Sequence, residues 1–226
     1  MNPIRSGMAG RLGIVLLAAA TFTAAAVAAP GDPEKRDIRP GDQARARKAN
    51  LRLADLPSGF RSLARPHEKS GPAVCGRFRP DLSDLTITGE AGSPNFVGAN
   101  GTSIFSEAEV YRTVHDEQQS WQRTTRREAL PCFAQQLERQ SASTPIRIDV
   151  RSYAQLPAPR LGDRSAKFRF VAVVVSQGVR IQMWIDVLGV ARGRADAALY
   201  YFTVGHRPAA AQERALLAKL SQRLAA

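Results

Sequence analysis

The side chains that could carry chemistry in this sequence are few, and they lie far apart. The three histidines, His67, His115 and His206, are not close in sequence to one another or to a cysteine. Glu107 and Glu109 are two residues apart, so on a strand they would share one face and could line a cleft. Such a pair can act as acid and base only if burial separates their two pKa values. The sequence does not show such burial, and we predict no catalytic residue.

No known catalytic or cofactor motif accompanies these residues. The chain has no Gly-x-Ser-x-Gly, no His-Glu-x-x-His and no glycine-rich phosphate loop. It also has no close spacing of cysteines and histidines that would predict a metal site. We therefore expect no cofactor or metal, and a binding function in preference to catalysis. An enzyme with an unrecognised site is the alternative, favoured if His115, Glu107 and Asp186 meet in one cleft.

The two cysteines, Cys75 and Cys132, have a simpler interpretation. An even number of cysteines in an exported protein is most simply explained by a disulfide. A reactive thiol or a metal ligand is the other interpretation, and no Cys-x-x-Cys motif or nearby histidine supports it. We predict a Cys75–Cys132 disulfide.

The two tryptophans, Trp121 and Trp184, are the candidate residues for a binding cleft between sheet and helices. Trp121 falls on the apolar face of a predicted helix. Trp184 shares a strand face with Arg180, Gln182 and Asp186, which indicates partial exposure. Aromatic residues in such places more often belong to a core than to a ligand site, so both interpretations stay open.

A long hairpin over Lys167–Val190 is the element around which these residues must be positioned. Apolar side chains recur there with a period of two, and β-branched and aromatic residues dominate, as in strands. Ser176-Gln177-Gly178 separates the two halves, and Gly178 suits a short hairpin loop with a bulge. A third strand is expected at Ala197–Val204, and these strands should form the centre of the sheet.

The remaining elements follow from the same two periodicities. Strands are predicted at Leu85–Glu90, Ser103–Thr113 and through Ile146, Ile148 and Val150. Helices are predicted at Ala44–Asn50 after an Asp42 cap, from Val114 onward, from Pro131 onward, and over Ala209–Leu224. The fold class is therefore α+β, an antiparallel sheet flanked by helices, with residues 41–226 as a single domain.

The N-terminal segment has the pattern of a secretory signal peptide over residues 1–28. Arg5 and Arg11 are followed by an uncharged stretch rich in Leu, Val and Ala, and cleavage is expected after Ala28. An uncleaved anchor is the alternative, although the stretch is at the short end for a span. The composition of residues 29–40 predicts a disordered linker. We predict a secreted protein with no stable membrane span after cleavage.

The net charge of +12 favours anionic partners in principle. The arginines are dispersed, however, and the Arg- and Ala-rich composition is typical of a GC-rich genome. We expect no nucleic-acid partner. Binding of an anionic envelope polymer is an alternative function.

The order of elements resembles a known group of exported domains. Leu53-Ala54-Asp55-Leu56-Pro57-Ser58-Gly59-Phe60 stands near the mature start, Gly89-Glu90-Ala91 closes a strand, and Val110-Tyr111-Arg112-Thr113 leads into the Trp121 helix. This is similar to actinobacterial sensor and lipoprotein domains related to the extracellular domain of PknH-type kinases and to LpqN lipoproteins. The resemblance implies a Mog1/PsbP-like α/β/α sandwich and a non-enzymatic, sensor-like module that binds a small molecule, a lipid or an envelope component. The chain departs from that group in lacking a lipidation cysteine and a kinase domain.

Overall fold

A computed structural model describes residues 33–65, 75–76, 78–141 and 146–225. The predicted signal peptide, its cleavage site at Ala28 and His67 lie outside the described residues. The strands are β1 Lys35–Arg36, β2 Phe60–Leu63, β3 Thr86–Gly92, β4 Asn95–Gly98, β5 Ser103–Tyr111, β6 Ile146–Leu156, β7 Arg164–Ser176, β8 Val179–Arg192 and β9 Ala195–Val204. The helices are α1 Pro40–Ala49, α2 Val114–Thr124, α3 Ala129–Ser141 and α4 Ala210–Leu224, with a short 3-10 helix at Leu53–Asp55.

The strands form one sheet in the order β1-β3-β5-β9-β8-β7-β6, and β4 pairs with both β2 and β5. All pairings are antiparallel except that of β1 with β3. The fold class predicted from sequence, an α+β sheet flanked by helices, is confirmed. The predicted linker needs correction at residues 33–40, because Lys35 and Arg36 pair with Thr86 and Ile87, and α1 begins at Pro40.

The predicted central hairpin is confirmed, but its turn is tighter than expected. Ser176 pairs directly with Val179, and the β7–β8 register runs without a shift to Ala191. Gln177 and Gly178 both have positive φ, at 49° and 79°. Two such central residues define a type I′ turn, whose twist matches that of the strands and requires no bulge.

Two further elements differ from the sequence-based expectation. Asp42 does not cap α1 but lies in its first turn, where it pairs with Arg194 of the β8–β9 turn. Strands β2 and β4 were not predicted, and they pair with each other over Phe60–Leu63 and Asn95–Gly98. Strands this short carry too few residues for a period-two pattern to stand out.

Helices cover both sides of the sheet. Helices α1 and α4 pack on one side, here named the closed face, with Leu188, Val190, Leu199 and Leu217 in its core. Helix α3 packs on the other side, here named the open face, where Leu137 meets Phe170 and Ile185. Among the described residues, no helix is both long and apolar enough to cross a bilayer.

Two features hold helices in place, one on each side of the sheet. The predicted disulfide is present: Cys75 and Cys132 of α3 are bonded, with Cα atoms 5.2 Å apart and a sequence separation of 57. A loop of this length corresponds to about 4 kcal/mol in the chain-entropy account. On the closed face, Lys167 Nζ lies 3.0 Å from Asp186 Oδ2 and 2.5 Å from Glu213 Oε2 of α4. Arg169 completes this network with two hydrogen bonds to Asp186, of 2.7 and 2.6 Å.

Candidate functional site

The two tryptophans of the predicted cleft lie on opposite faces of the sheet. Trp121 stands over Gly189, so that a Cβ atom added there would lie 3.0 Å from the Trp121 ring. Trp184 is five residues from Gly189 on the same regular strand, and an odd separation places its side chain on the other face. Trp184 is 9% exposed, in contrast to the partial exposure predicted for it. The prediction of one cleft containing Trp121 and Trp184 was therefore wrong, and Trp121 alone borders the open face.

Strand register places a row of small side chains across the open face. Ala166 pairs with Gly189, Gly189 with Ala198, Ala198 with Glu107, and Glu107 with Gly92. Directly opposed residues on antiparallel strands point to the same side. The row therefore forms a strip of small side chains across the sheet from β7 to β3, and only the larger Glu107 interrupts it.

Longer side chains lie over this strip at two places, one on β8 and one on β3. Trp121 covers Gly189, and Arg65 covers Gly92, where an added Cβ would meet Arg65 Nη2 at 2.7 Å. Ala198 and Glu107 lie between these places and are partly exposed. We name this feature the groove: its floor is Ala198 and Glu107, and Trp121 and Arg65 close its ends.

One wall of the groove carries two opposed carboxyl groups. Asp196 of β9 pairs directly with Glu109 of β5, one row from Ala198 and Glu107. Tyr111 donates a 2.7 Å hydrogen bond to Glu109, and the Tyr111 hydroxyl lies 2.9 Å from that of Ser120 in α2. Burial, followed by the charge of Glu34, raises the pKa of Glu109 to about 7. Burial and the charge of Glu109 hold the pKa of Asp196 well above its usual range.

The other wall is aromatic. The rings of Phe105 and Tyr200 stack with centroids 4.5 Å apart, and Phe202 lies 5.8 Å from Phe105. The Arg65 guanidinium stands 4.1 Å above the Phe105 ring and also pairs with Glu107 at 2.5 Å. Burial raises the pKa of Tyr200 well above its usual value, so its hydroxyl stays protonated and can donate.

The residues that would have favoured an enzyme do not come together. His115 is exposed at the start of α2, and Asp186 belongs to the closed face, whereas Glu107 belongs to the open face. His206 lies 3.4 Å from the Thr102 hydroxyl and 3.1 Å from the Val204 carbonyl oxygen. Within the described ranges, no group of three His, Cys, Asp or Glu side chains could hold a metal ion.

Of the two opposed carboxyl groups of the groove, Asp196 is the one that sequence reasoning missed. Its alternation with Ala198 and Tyr200 on β9 is visible in the sequence, but its position opposite Glu109 depends on the pairing of β5 with β9. These strands are separated by α2, α3 and three other strands, so no local pattern gives their register. Glu109, in contrast, was identified as a possible cleft residue together with Glu107.

Comparisons with known proteins include a weak likeness to a solved structure. No protein-family model and no curated protein sequence matches the chain. A solved structure, the extracellular domain of PknH from Mycobacterium tuberculosis, is similar at 10% identity and a TM-score of 0.44. The match covers 81% of this chain and 96% of that domain. At this level of similarity, no residue role or ligand passes from that domain to this chain.

Proposed function

We propose that this chain is a secreted, non-enzymatic, sensor-like domain that binds its ligand in the groove. The observation that carries this proposal is the partly exposed strip at Ala198 and Glu107, between a carboxyl wall and an aromatic wall. Ligand sites combine apolar surface with a few convergent polar groups in this way. Its ligand is a small molecule, a lipid or an envelope component.

The compartment is part of the same proposal. The sequence predicts a signal peptide over residues 1–28, and the Cys75–Cys132 disulfide is of a kind that persists in oxidising surroundings. Kinship with actinobacterial sensor domains of Mog1/PsbP-like fold also belongs to the proposal. The three-layered arrangement of α1 and α4, the sheet, and α2 and α3 is compatible with it.

Filling the groove tests the proposal. Ala198→Leu places a larger side chain on the floor, whereas Ala154→Leu makes the same change at an exposed position of edge strand β6. Wild type and both variants are incubated with envelope extract, re-purified and weighed by native mass spectrometry. We expect a stoichiometric adduct on wild type and A154L and none on A198L. An adduct that persists on A198L, or its absence from all three proteins, would contradict groove binding.

A second candidate function is an enzyme with Glu109 and Asp196 as its acid–base pair. It is favoured by the raised pKa of Glu109, since an acid that titrates near neutrality suits proton transfer. Turnover in a panel of chromogenic hydrolase substrates, abolished by Glu109→Gln and by Asp196→Asn, would establish it. Turnover that survives both substitutions would remove this pair from any catalytic role.

Binding of an anionic polymer has less support. Part of the positive charge is already neutralised within the chain, because ten of the described arginines form ion pairs with its carboxylates: Arg36, Arg39, Arg65, Arg112, Arg123, Arg151, Arg164, Arg169, Arg194 and Arg223. A polymer complex that weakens steeply with added salt would revive this alternative, because charge contacts release counterions.

A further inference from the structure

The carboxyl wall lacks the cations that accompany buried carboxylates elsewhere in the described chain. The side chain of Asp196 makes no hydrogen bond and no ion pair with any described residue. Among the described residues, the side chain of Glu109 accepts a hydrogen bond only from the Tyr111 hydroxyl. Asp186, by contrast, lies within 3.0 Å of cationic groups of both Lys167 and Arg169. Carboxyl groups that are partly withdrawn from water and lack a cationic partner favour a ligand that supplies positive charge.

A third carboxylate lies over the same wall from α2. Glu117 is one helical turn before Trp121, so both side chains face the sheet. Glu117 is fully buried, and its charge contributes to the raised pKa of Asp196. Its Oε2 accepts a hydrogen bond from Arg164, while Oε1 has no partner among the described residues. Arg164 is thus the cation that faces both Glu117 and Asp196.

The aromatic wall already accepts one organic cation from the protein itself. The Arg65 guanidinium occupies the face of Phe105, and Tyr200 stacks beside that ring. Aromatic faces attract ammonium and guanidinium groups, and such contacts strengthen when water is excluded. The groove therefore offers carboxylates on one side and aromatic surface on the other, a combination suited to a cation with an apolar body.

We propose that the ligand of the groove is a small organic ammonium compound. Its ammonium group lies between Glu109 and Asp196, and its apolar part crosses Ala198 towards Tyr200. This inference rests on the proposed function and adds the chemical class of the ligand.

Proton release distinguishes a cationic ligand from a neutral one. Glu109 and Asp196 have Glu34, Glu90, Glu107 and Glu117 around them, and Arg36 and Arg65 pair with Glu90 and Glu107. Arg164 is the cation that faces Asp196, and Tyr111 is the hydroxyl donor to Glu109. In the free protein, burial and then these like charges raise the pKa of both carboxyl groups and favour their protonated forms. An ammonium group stabilises both carboxylates, so binding expels protons and the affinity rises with pH.

The test uses phenethylamine, spermidine and choline as cationic probes, with phenethyl alcohol as the neutral counterpart of the first. Isothermal titration at about pH 6 and about pH 8, in buffers of different ionisation enthalpy, gives affinity and protons released. We expect at least one amine to bind about tenfold more tightly at the higher pH, and phenethyl alcohol to bind weakly or not at all. Asp196→Asn should weaken the amine about tenfold or more, whereas Asp149→Asn, which removes the same charge on β6, should have no effect.

The outcomes separate the two proposals. If no amine binds, but the envelope adduct of wild type is lost in A198L, the cation inference is wrong and the groove remains the ligand site. If the amines bind equally to wild type, D196N and A198L, they bind elsewhere and the inference also fails. If no probe binds and A198L retains every adduct, both proposals are wrong.

Discussion

The two faces of the sheet hold buried charge in opposite ways. On the closed face, Lys167 and Arg169 offset Asp186 and Glu213 beneath α4. On the open face, Asp196 and Glu109 oppose each other without a cation in direct contact. On the closed face, the paired charges hold α4 on the sheet. On the open face, the carboxyl groups without a cation are the ones that we propose bind a ligand. The contrast distinguishes the structural use of ionisable groups from the proposed functional one.

The largest expected effect is on the closed face. Lys167→Met removes the cation shared by Asp186 and Glu213 and leaves two carboxyl groups buried. Breaking a buried pair from one side typically costs about 3–5 kcal/mol. Urea denaturation should show a loss of that size in the free energy of unfolding. Lys167→Met combined with Glu213→Leu should recover part of the loss. A Lys167→Met variant as stable as wild type would show that Lys167 does not offset these carboxyl groups.

The disulfide stabilises the open face, and its removal should cause the second largest loss in the free energy of unfolding. Replacing Cys75 and Cys132 by alanine should cost about 2–4 kcal/mol. Hydrogen exchange should become faster in α3, where Cys132 lies, while α4 keeps its protection at low denaturant concentration. Equal acceleration in α3 and α4 would show that the two faces open as one unit.

A matched pair of glycine substitutions compares how rigidly each face is covered. A Cβ at Gly89 would lie 2.4 Å from the Asp42 backbone of α1, and one at Gly189 would lie 3.0 Å from the Trp121 ring. Backbone cannot move aside as a partly exposed indole can, so Gly89→Ala should cost about 1–3 kcal/mol. Gly189→Ala should cost less and should change the fluorescence of Trp121. Equal destabilisation would mean that Trp121 is as fixed as α1.

The smallest effect is a dependence on pH that comes from the open face. The pKa of Glu109 is raised from 4.5 to about 7 in the folded chain, so the folded state keeps a proton that the unfolded chain loses within this window. Wild-type stability should therefore fall as the pH rises between these two values, relative to Glu109→Gln. A difference of about 1 kcal/mol across the window is expected after allowance for partial solvent exposure. Unfolding curves at several pH values measure it, and parallel pH profiles would contradict an unpaired Glu109.

Local patterns in the sequence predicted most of the fold. The period-two runs in β7 and β8 and the three- to four-residue spacing in α2 and α4 are each set within one element. The Cys75–Cys132 pairing followed from there being only two cysteines. The shortest strands, β1, β2 and β4, exist only because neighbouring strands pair with them, and they escaped prediction for that reason.

Which residues form the groove depends on the tertiary structure. The sequence alone determined that Glu109 lies on one face of a strand and that Trp184 shares a face with Asp186. Only the register of β5, β9 and β8 decided that Glu109 opposes Asp196 and that Ala198 lies beside Gly189. A strand's own residues fix which side chains share a face, but pairing between distant segments fixes which side chains meet. The alternation of side chains could therefore be predicted from the sequence, whereas the set of residues that form the site could not.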